Sequence, residues 1–564
     1  MFPRVKRSGK YSYVQLVENR RENGRTRQRV VCTLGRLEKL IDDGVLENLA
    51  EFAGRFSNQF LILSAHRNGE LNSVQTRKIG PGIVFERLWK ETGCQEVVQE
   101  LLANRKFKFS IERAIFLTVL HRLFKRKKTS DRGADTWKKD YKVEGGEEIK
   151  LHQLYRAMAW LGEILSVAAK HLGRTPFYPR CTKDLVEERL FNRRRNLFTS
   201  LDLVFFDTTS LYFEGEGGNE LGKFGKSKDH RSDRRQMVVG VVLDGKGTPV
   251  CCEIWPGNTS DMKTMIPVAK RLKKRFGIER ICVVADRAMF TAEIIEDLER
   301  RNWLYILGAK MRTVNEVKKA VLSRAGRYSE VREARKSSKD LAPLKVKEVK
   351  IRENKETDEV VERRYVVCYN EDQAKKDAAD REKIVDDLVE KLKKGEKPLV
   401  GNKGYRKCIN SDNGAFQINW AKVEKEARYD GKFVLRTNTD LPTAEVALKY
   451  KQLISVEDIF RTMKSVLDTR PVHHKRDETI RGHVFCSFLA LVMRKELMDR
   501  IEKMGTKLEW ENIVSDLESL TETLVEKDSK LFALRSDLEG VAGKVLQAVG
   551  VAAPRSFRQV TSVS

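Results

Sequence analysis

Polar and apolar residues alternate along residues 11–34 and predict a β-hairpin with Asn23-Gly24 at its tip. Both arms carry arginines, which suit either a solvated edge or a DNA contact. From residue 80 to 195 the period changes. Ile83, Leu88, Val97, Leu101 and Leu102 recur at helical spacing, and SIERAIFLTVLHRLFKRKK follows with Ser110 placed as an N-cap. The basic run 125–128 suits the negative end of that helix dipole, and equally a phosphate.

The period then shortens. Residues 201–215 read as a strand, and 234–257 as two strands joined by the turn Asp244-Gly245-Lys246-Gly247. A helix is expected over 260–277, with Ser260 as cap and Gly277 just past its end. A buried strand (279–286), a helix (291–302) and a strand (303–310) complete the series. An antiparallel meander that continues into α/β units matches the ribonuclease-H-like order. Residues 311–440 interrupt it, with strands expected at 363–370, 414–420 and 432–440 and a charged helix at 374–395. Helices are expected again over 443–470 and 479–500, and beyond 501, where Ile513, Leu517, Leu520 and Leu524 are spaced by four, three and four before a loose tail. The organisation expected is a hairpin region (1–75), a helical DNA-binding region (76–195), the core in two parts (196–320 and 441–500), a mostly β insertion (321–440) and C-terminal helices (501–564).

Composition narrows the class of partner. The 564 residues carry a net charge of +28, with 34% charged and 40% hydrophobic positions. Such a surplus favours a polyanion, and the apolar share excludes a wholly disordered chain. Nine scattered cysteines without C-x2-C spacing argue against a disulfide scaffold or a zinc knuckle. The N-terminus lacks an apolar leader run, and the longest apolar run, 485–493, is too short for a membrane span. A cytoplasmic, nucleoid-associated protein is the expectation.

Two acids stand out because each ends an apolar strand: Asp207 after LVFF and Asp286 after ICVVA. A carboxylate there must be capped, paired or holding a metal. In a ribonuclease-H-like sheet the first and fourth strands are neighbours, so both acids can face one spot. Glu457 supplies a third. In a continuous helix seven residues fall about 20° short of two turns, which would put Tyr450, Glu457 and Lys464 on one face. That face alone also fits a row of surface ion pairs. His473 and His474, among Arg470, Lys475 and Arg476, read as a DNA-facing loop rather than a metal site, and Trp255 and Trp420 as core or interface residues rather than base-stacking ones.

Asp207 in FFDTTS, Asp286 in VVADRAMF and Glu457 in Y450-x2-L453-x3-E457-x6-K464 resemble the acidic triad of DDE insertion-sequence transposases. The third motif is similar to the Y-x2-R-x3-E-x6-K signature of the fourth insertion-sequence group, which includes the Tn-five-type enzymes. WPGNTSD (255–261), GNKGYRK (401–407), YDGKFVLRTNTDL (429–441) and residues 470–491 resemble one branch of that group. The signature arginine is Leu453 here, and Arg461, one turn beyond Glu457, offers a replacement charge.

The resemblance implies a transposase that binds the terminal inverted repeats of its element, cleaves them and joins them to target DNA. It implies two Mg²⁺ ions, replaceable by Mn²⁺, on Asp207, Asp286 and Glu457, consistent with hard oxygen donors. It also implies DNA contacts by Tyr450 and Lys464, to which the residues add Arg461, Arg470, Lys475 and Arg476. A homodimer on double-stranded DNA is implied too. The rivals are a catalytically silent DNA-binding descendant and a ribonuclease-H-like nuclease.

Overall fold

The computed structural model describes residues 2–22, 25–54, 72–125, 131–165, 180–194, 203–260, 264–278, 281–286, 291–331, 343–354, 360–393, 408–412, 415–527 and 530–560. The chain divides into two compact units, one of residues 1–80 with 508–564 and one of residues 81–507.

The first unit opens with a three-stranded antiparallel sheet, β1 (Phe2–Ser8), β2 (Tyr11–Glu22) and β3 (Arg25–Arg36). The hairpin expected from the alternation is β2–β3, and β1 adds a strand on its free edge; the tip, Asn23-Gly24, lies outside the described residues. Helices Leu37–Asp42 and Val45–Gly54 follow, then β4 (Asn72–Lys78).

The second unit begins with helices, as the spacing predicts. Ile111–Phe124 starts at Ser110, whose Oγ accepts the Arg113 amide at 3.2 Å. Lys125 is its C-cap, and the rest of the basic run lies outside the described residues. The long helix Asp477–Lys503 packs against this helix and against Leu151–Leu161. The second contact is backbone to backbone: a Cβ on Gly482 would meet the Met158 carbonyl oxygen at 1.9 Å, and one on Gly162 the Glu478 oxygen at 1.9 Å. Glycine is required at both crossing points.

The sheet of this unit is built from β5 (Leu203–Tyr212), β6 (Gln236–Leu243), β7 (Pro249–Pro256), β8 (Cys282–Ala285), β9 (Leu304–Ala309), β10 (Ser329–Val331), β11 (Leu344–Asn354), β12 (Val360–Tyr369) and β15 (Lys432–Thr437), with the separate hairpin β13 (Ile409–Asp412) and β14 (Ala415–Ile418) beside it. The order is β10-β11-β12-β15-β9-β8-β5-β6-β7. Its β7-β6-β5-β8-β9 portion is the ribonuclease-H-like order, with the first strand beside the fourth and β5, β8 and β9 mutually parallel. β6 and β7 are apolar runs because both faces are covered. Helices Met265–Phe276 and Ala292–Arg300 cover one face, sealing Val204, Phe206, Trp255, Val283 and Ala285 into the core. Trp255 is therefore a core residue, its ring 6.4 Å from Phe206, whereas Trp420 is exposed. The first of these helices begins at Met265, after Thr264, instead of at Ser260.

Three expectations are corrected. Apart from the β13–β14 hairpin, the described strands of 321–440 form no separate sheet. They extend the core sheet through β15, which pairs with β9, while the charged helix Glu371–Lys393 lies between β12 and the β13–β14 hairpin. Residues 443–470 are not one helix. The chain forms Thr443–Lys451, then Ile454–Arg461, then a π-helical turn over Thr462–Val466. Residues 501–564 are not all helical. After Trp510–Ser519 the chain forms β16 (Thr521–Lys527), β17 (Lys530–Arg535) and β18 (Phe557–Val560), in a sheet ordered β18-β17-β16-β4. β4 lies more than 400 residues earlier and supplies the edge on which β16 pairs, which local spacing does not reveal. The expected loose tail contains β18. Among the described residues no helix is long and apolar enough to cross a membrane.

Candidate active site

β5 and β8 run parallel in the register Leu203↔Cys282, Val204↔Val283, Phe205↔Val284. Two positions further on, Asp207 and Asp286 come level on neighbouring strands, which lie about 4.8 Å apart. Val204, Phe206, Val283 and Ala285 face the helix-covered core, so alternation sends both acids to the opposite face. Both are half-buried. Asp207 Oδ1 accepts the Thr208 amide at 2.7 Å, and Lys228 Nζ stands 4.0 Å from the same oxygen.

On that opposite face lie the helices that follow β15. The Tyr450 hydroxyl donates to Asp286 Oδ1 at 3.2 Å, and its ring stacks on Phe433 of β15 at 5.8 Å. The Ile454–Arg461 helix packs on β5, burying Val456 and Phe460 and leaving Glu457 exposed. The expected shared helix face for Tyr450, Glu457 and Lys464 is replaced by three separate elements. The ladder slips to a tight bond at Leu453, whose amide reaches the Tyr450 oxygen at 3.0 Å. It then widens, the Leu467 amide bonding the Thr462 oxygen at 2.9 Å. The seven-residue spacing no longer adds up to two α-helical turns. Leu453 is buried, which suits leucine and not an arginine at this position. Arg461 is exposed and pairs with Asp458 at 3.1 Å.

Lys464 and Arg470 converge on Asp229: Lys464 Nζ meets its Oδ1 at 2.8 Å, and Arg470 forms a second ion pair with that oxygen. Burial pushes the Lys464 ammonium below its usual range, against the opposing pull of Asp229. These residues line a cleft of about 1070 Å³, with Lys475 and His473 on its wall. Arg476 is exposed and pairs with Glu478 at 2.8 Å.

His474 does not belong to a wholly DNA-facing loop. Its Nε2 bonds Asp131 Oδ2 at 2.8 Å, and His483 Nδ1 reaches the same oxygen at 2.7 Å. Burial alone would raise Asp131, but Arg122 and the two histidines hold it well below the usual carboxylate range. Burial and Arg122 push His483 down to about 4. The three ligand-type atoms lie within 4.8 Å of one another, as a metal would need. However, Arg122 Nη2 lies 2.9 Å from Asp131 and 3.0 Å from His483, filling the group with its own cation. A guanidinium so placed makes this an ion cluster that locks the loop to the helices. Asp207, Asp286 and Glu457, by contrast, offer only carboxylate oxygens, a donor set suited to Mg²⁺ or Mn²⁺.

Sequence reasoning missed Lys228, Asp229, Arg122, Asp131 and His483. The first two sit in the charged run KSKDHRSDRR (226–235) just before β6, which reads locally as a solvated loop. A charged run placed between two buried strands is the signal that could have marked them.

Residues 199–493 match the family model described as "Transposase DDE domain", and residues 3–66 match "IS1634 family transposase, N-terminal domain". No curated protein matches the chain. Two similar solved structures are "Mos1 transposase paired-end complex with left transposon end" (12% identity, 40% of this chain and 76% of that one, TM-score 0.15) and "Crystal structure of the Mos1 mariner paired end complex with Mn" (12%, 40%, 76% and 0.14). The first family match spans more than half of the 564 residues. The chain therefore belongs to the DDE transposases, metal-dependent enzymes that act on DNA.

Proposed function

We propose that this transposase binds the terminal inverted repeats of an insertion sequence and performs strand cleavage and strand transfer at Asp207, Asp286 and Glu457. The observation that carries the reading is the register match of Asp207 and Asp286 on adjacent parallel strands. In this reading the two carboxylates form the floor of the site, and Glu457 is the third ligand, carried by the helix that packs on β5. Two divalent ions, Mg²⁺ or Mn²⁺, would supply Lewis-acid activation of the attacking and leaving oxygens. Tyr450 orients Asp286 through its hydroxyl. Lys464 and Arg470 face the scissile strand's phosphates from the cleft wall, and Lys475, Arg476 and Arg461 contact DNA further out. The chain fits the Y-R-E-K group with leucine in the arginine position. It acts as a homodimer on paired element ends, close to the nucleoid.

Replacing Asp207, Asp286 or Glu457 with Ala is expected to abolish Mg²⁺-dependent cleavage of end DNA while preserving end binding, because each removes an oxygen donor from one shared site. Wild-type cleavage by any one variant removes that residue from the triad.

A further inference from the structure

The loop before β6 is fastened to the strand that carries Asp207. The Lys228 amide donates to Ser210 Oγ at 2.8 Å, and Lys228 Nζ donates to the Thr208 carbonyl oxygen at 2.6 Å and to its Oγ1 at 3.0 Å. Ser227 Oγ accepts the amides of Asp229 and Arg231 at 3.2 and 3.1 Å, which fixes the turn that presents Asp229. The Asp229 side chain is only 7% exposed. Its Oδ1 takes both Lys464 and Arg470, and its Oδ2 is buried with no hydrogen-bond partner among the described residues. All three residues line the cleft, with the Arg231 and Arg470 guanidinium groups 5.3 and 5.9 Å from the Tyr212 ring centroid.

From this geometry we infer that Asp229, on the loop fastened to the strand of Asp207, is a positioning residue of the transposition reaction, holding Lys464 and Arg470 at a fixed place in this cleft so that both meet a DNA phosphate there. The inference rests on the reading of Lys464 as a phosphate contact. Two long cationic side chains have many rotamers, and ordering them before DNA arrives removes that entropy from the binding and reaction steps. One carboxylate between two cations leaves one net positive charge, so the group still attracts phosphate. The carboxylate also opposes the effect of burial on Lys464, favouring its charged form. The link is long-range: Asp229 and Lys464 are 235 residues apart, and their contact joins the half of the core that carries Asp207 to the half that carries Glu457.

The test is single-turnover cleavage of end DNA in Mg²⁺ at saturating full-length protein, alongside end affinity and thermal melting. Asp229→Asn keeps the shape and removes the charge. It is expected to cleave about tenfold more slowly or worse, with end affinity equal to or tighter than wild type and an unchanged melting temperature. Asp229→Glu is expected to recover part of the rate. Lys464→Met is expected to be slow, and the double variant Asp229→Asn/Lys464→Met close to Lys464→Met alone, since Asp229 acts largely through that side chain. Wild-type cleavage by Asp229→Asn, or a loss that only follows a loss of folded protein or of end binding, overturns the positioning role. Wild-type cleavage by Lys464→Met instead overturns the underlying phosphate-contact reading.

Discussion

The Tyr450 hydroxyl and ring have separable tasks, one bonded to Asp286 and the other stacked on Phe433. Tyr450→Phe keeps the stack and removes the donor. A hydrogen bond to a charged group contributes about 1.5–3 kcal/mol, so cleavage should fall by roughly tenfold or more with end binding unchanged. If binding falls in step, the tyrosine serves DNA first. His483 gives a pH prediction. Burial and Arg122 lower its native pKa to about 4 from the ordinary 6.5, with Asp131 opposing and His474 close by. The native state therefore refuses a proton that the unfolded chain accepts. The resulting stability is present above pH 6.5 and lost as the pH falls toward 4, by about 2 kcal/mol at pH 5. Urea midpoints at pH 7.5 and 5.0 should show that loss, and His483→Gln should shrink the difference.

At the scale of elements, helix ends and breaks decide the site. The Ser110 cap is local, read from sequence and present in the structure. Ser110→Ala should cost about 1 kcal/mol in chemical denaturation and leave cleavage unchanged. A rate loss without a stability loss would give Ser110 a different role. The segment from Thr443 to Val466 behaves otherwise. Its sequence suits one helix, yet it breaks near Leu453 and widens at Thr462, with Tyr450 held at Asp286 on one side and Lys464 at Asp229 on the other. Each piece is aimed separately, and a π-turn beside an active centre is a common place for such aiming.

For the molecule as a whole, the charge of +28 should appear as salt dependence. Each neutralised phosphate adds a slope of about −0.9 to log K against log salt, so end binding should show a slope of several units. A flat dependence would assign the positive surface to another task. The C-terminal segment answers a different question from the one its spacing raises. Residues 508–564 fold into one unit with residues 1–80, with β16 paired to β4. Removing them strips β4 of its partner, so a truncation reports on the folding of that unit before it reports on subunit pairing.

Much of the core sheet that carries the candidate site was legible because it is local. The apolar strand runs, the turn at Asp244, the Gly277 stop and the acids that follow two apolar runs are short-range patterns, and the meander-then-α/β order follows from them. Asp286 does come directly at the end of β8, whereas Asp207 sits inside β5, which runs on to Tyr212. The acid pair became geometry only through the β5–β8 register. Other features depended on partners far along the chain. Asp229 faces Lys464 across 235 residues, and His474 faces Asp131 across 343. Leu517, Leu520 and Leu524 keep helical spacing across a boundary where the chain turns into a strand, because β4 offers unsatisfied backbone groups there. Sequence by itself determined the element type where one apolar pattern stays within one element, as in β6, β7 and the helix Ile111–Phe124. Tertiary structure alone decided which charges meet, since an ion pair between remote residues leaves no periodic trace in the chain.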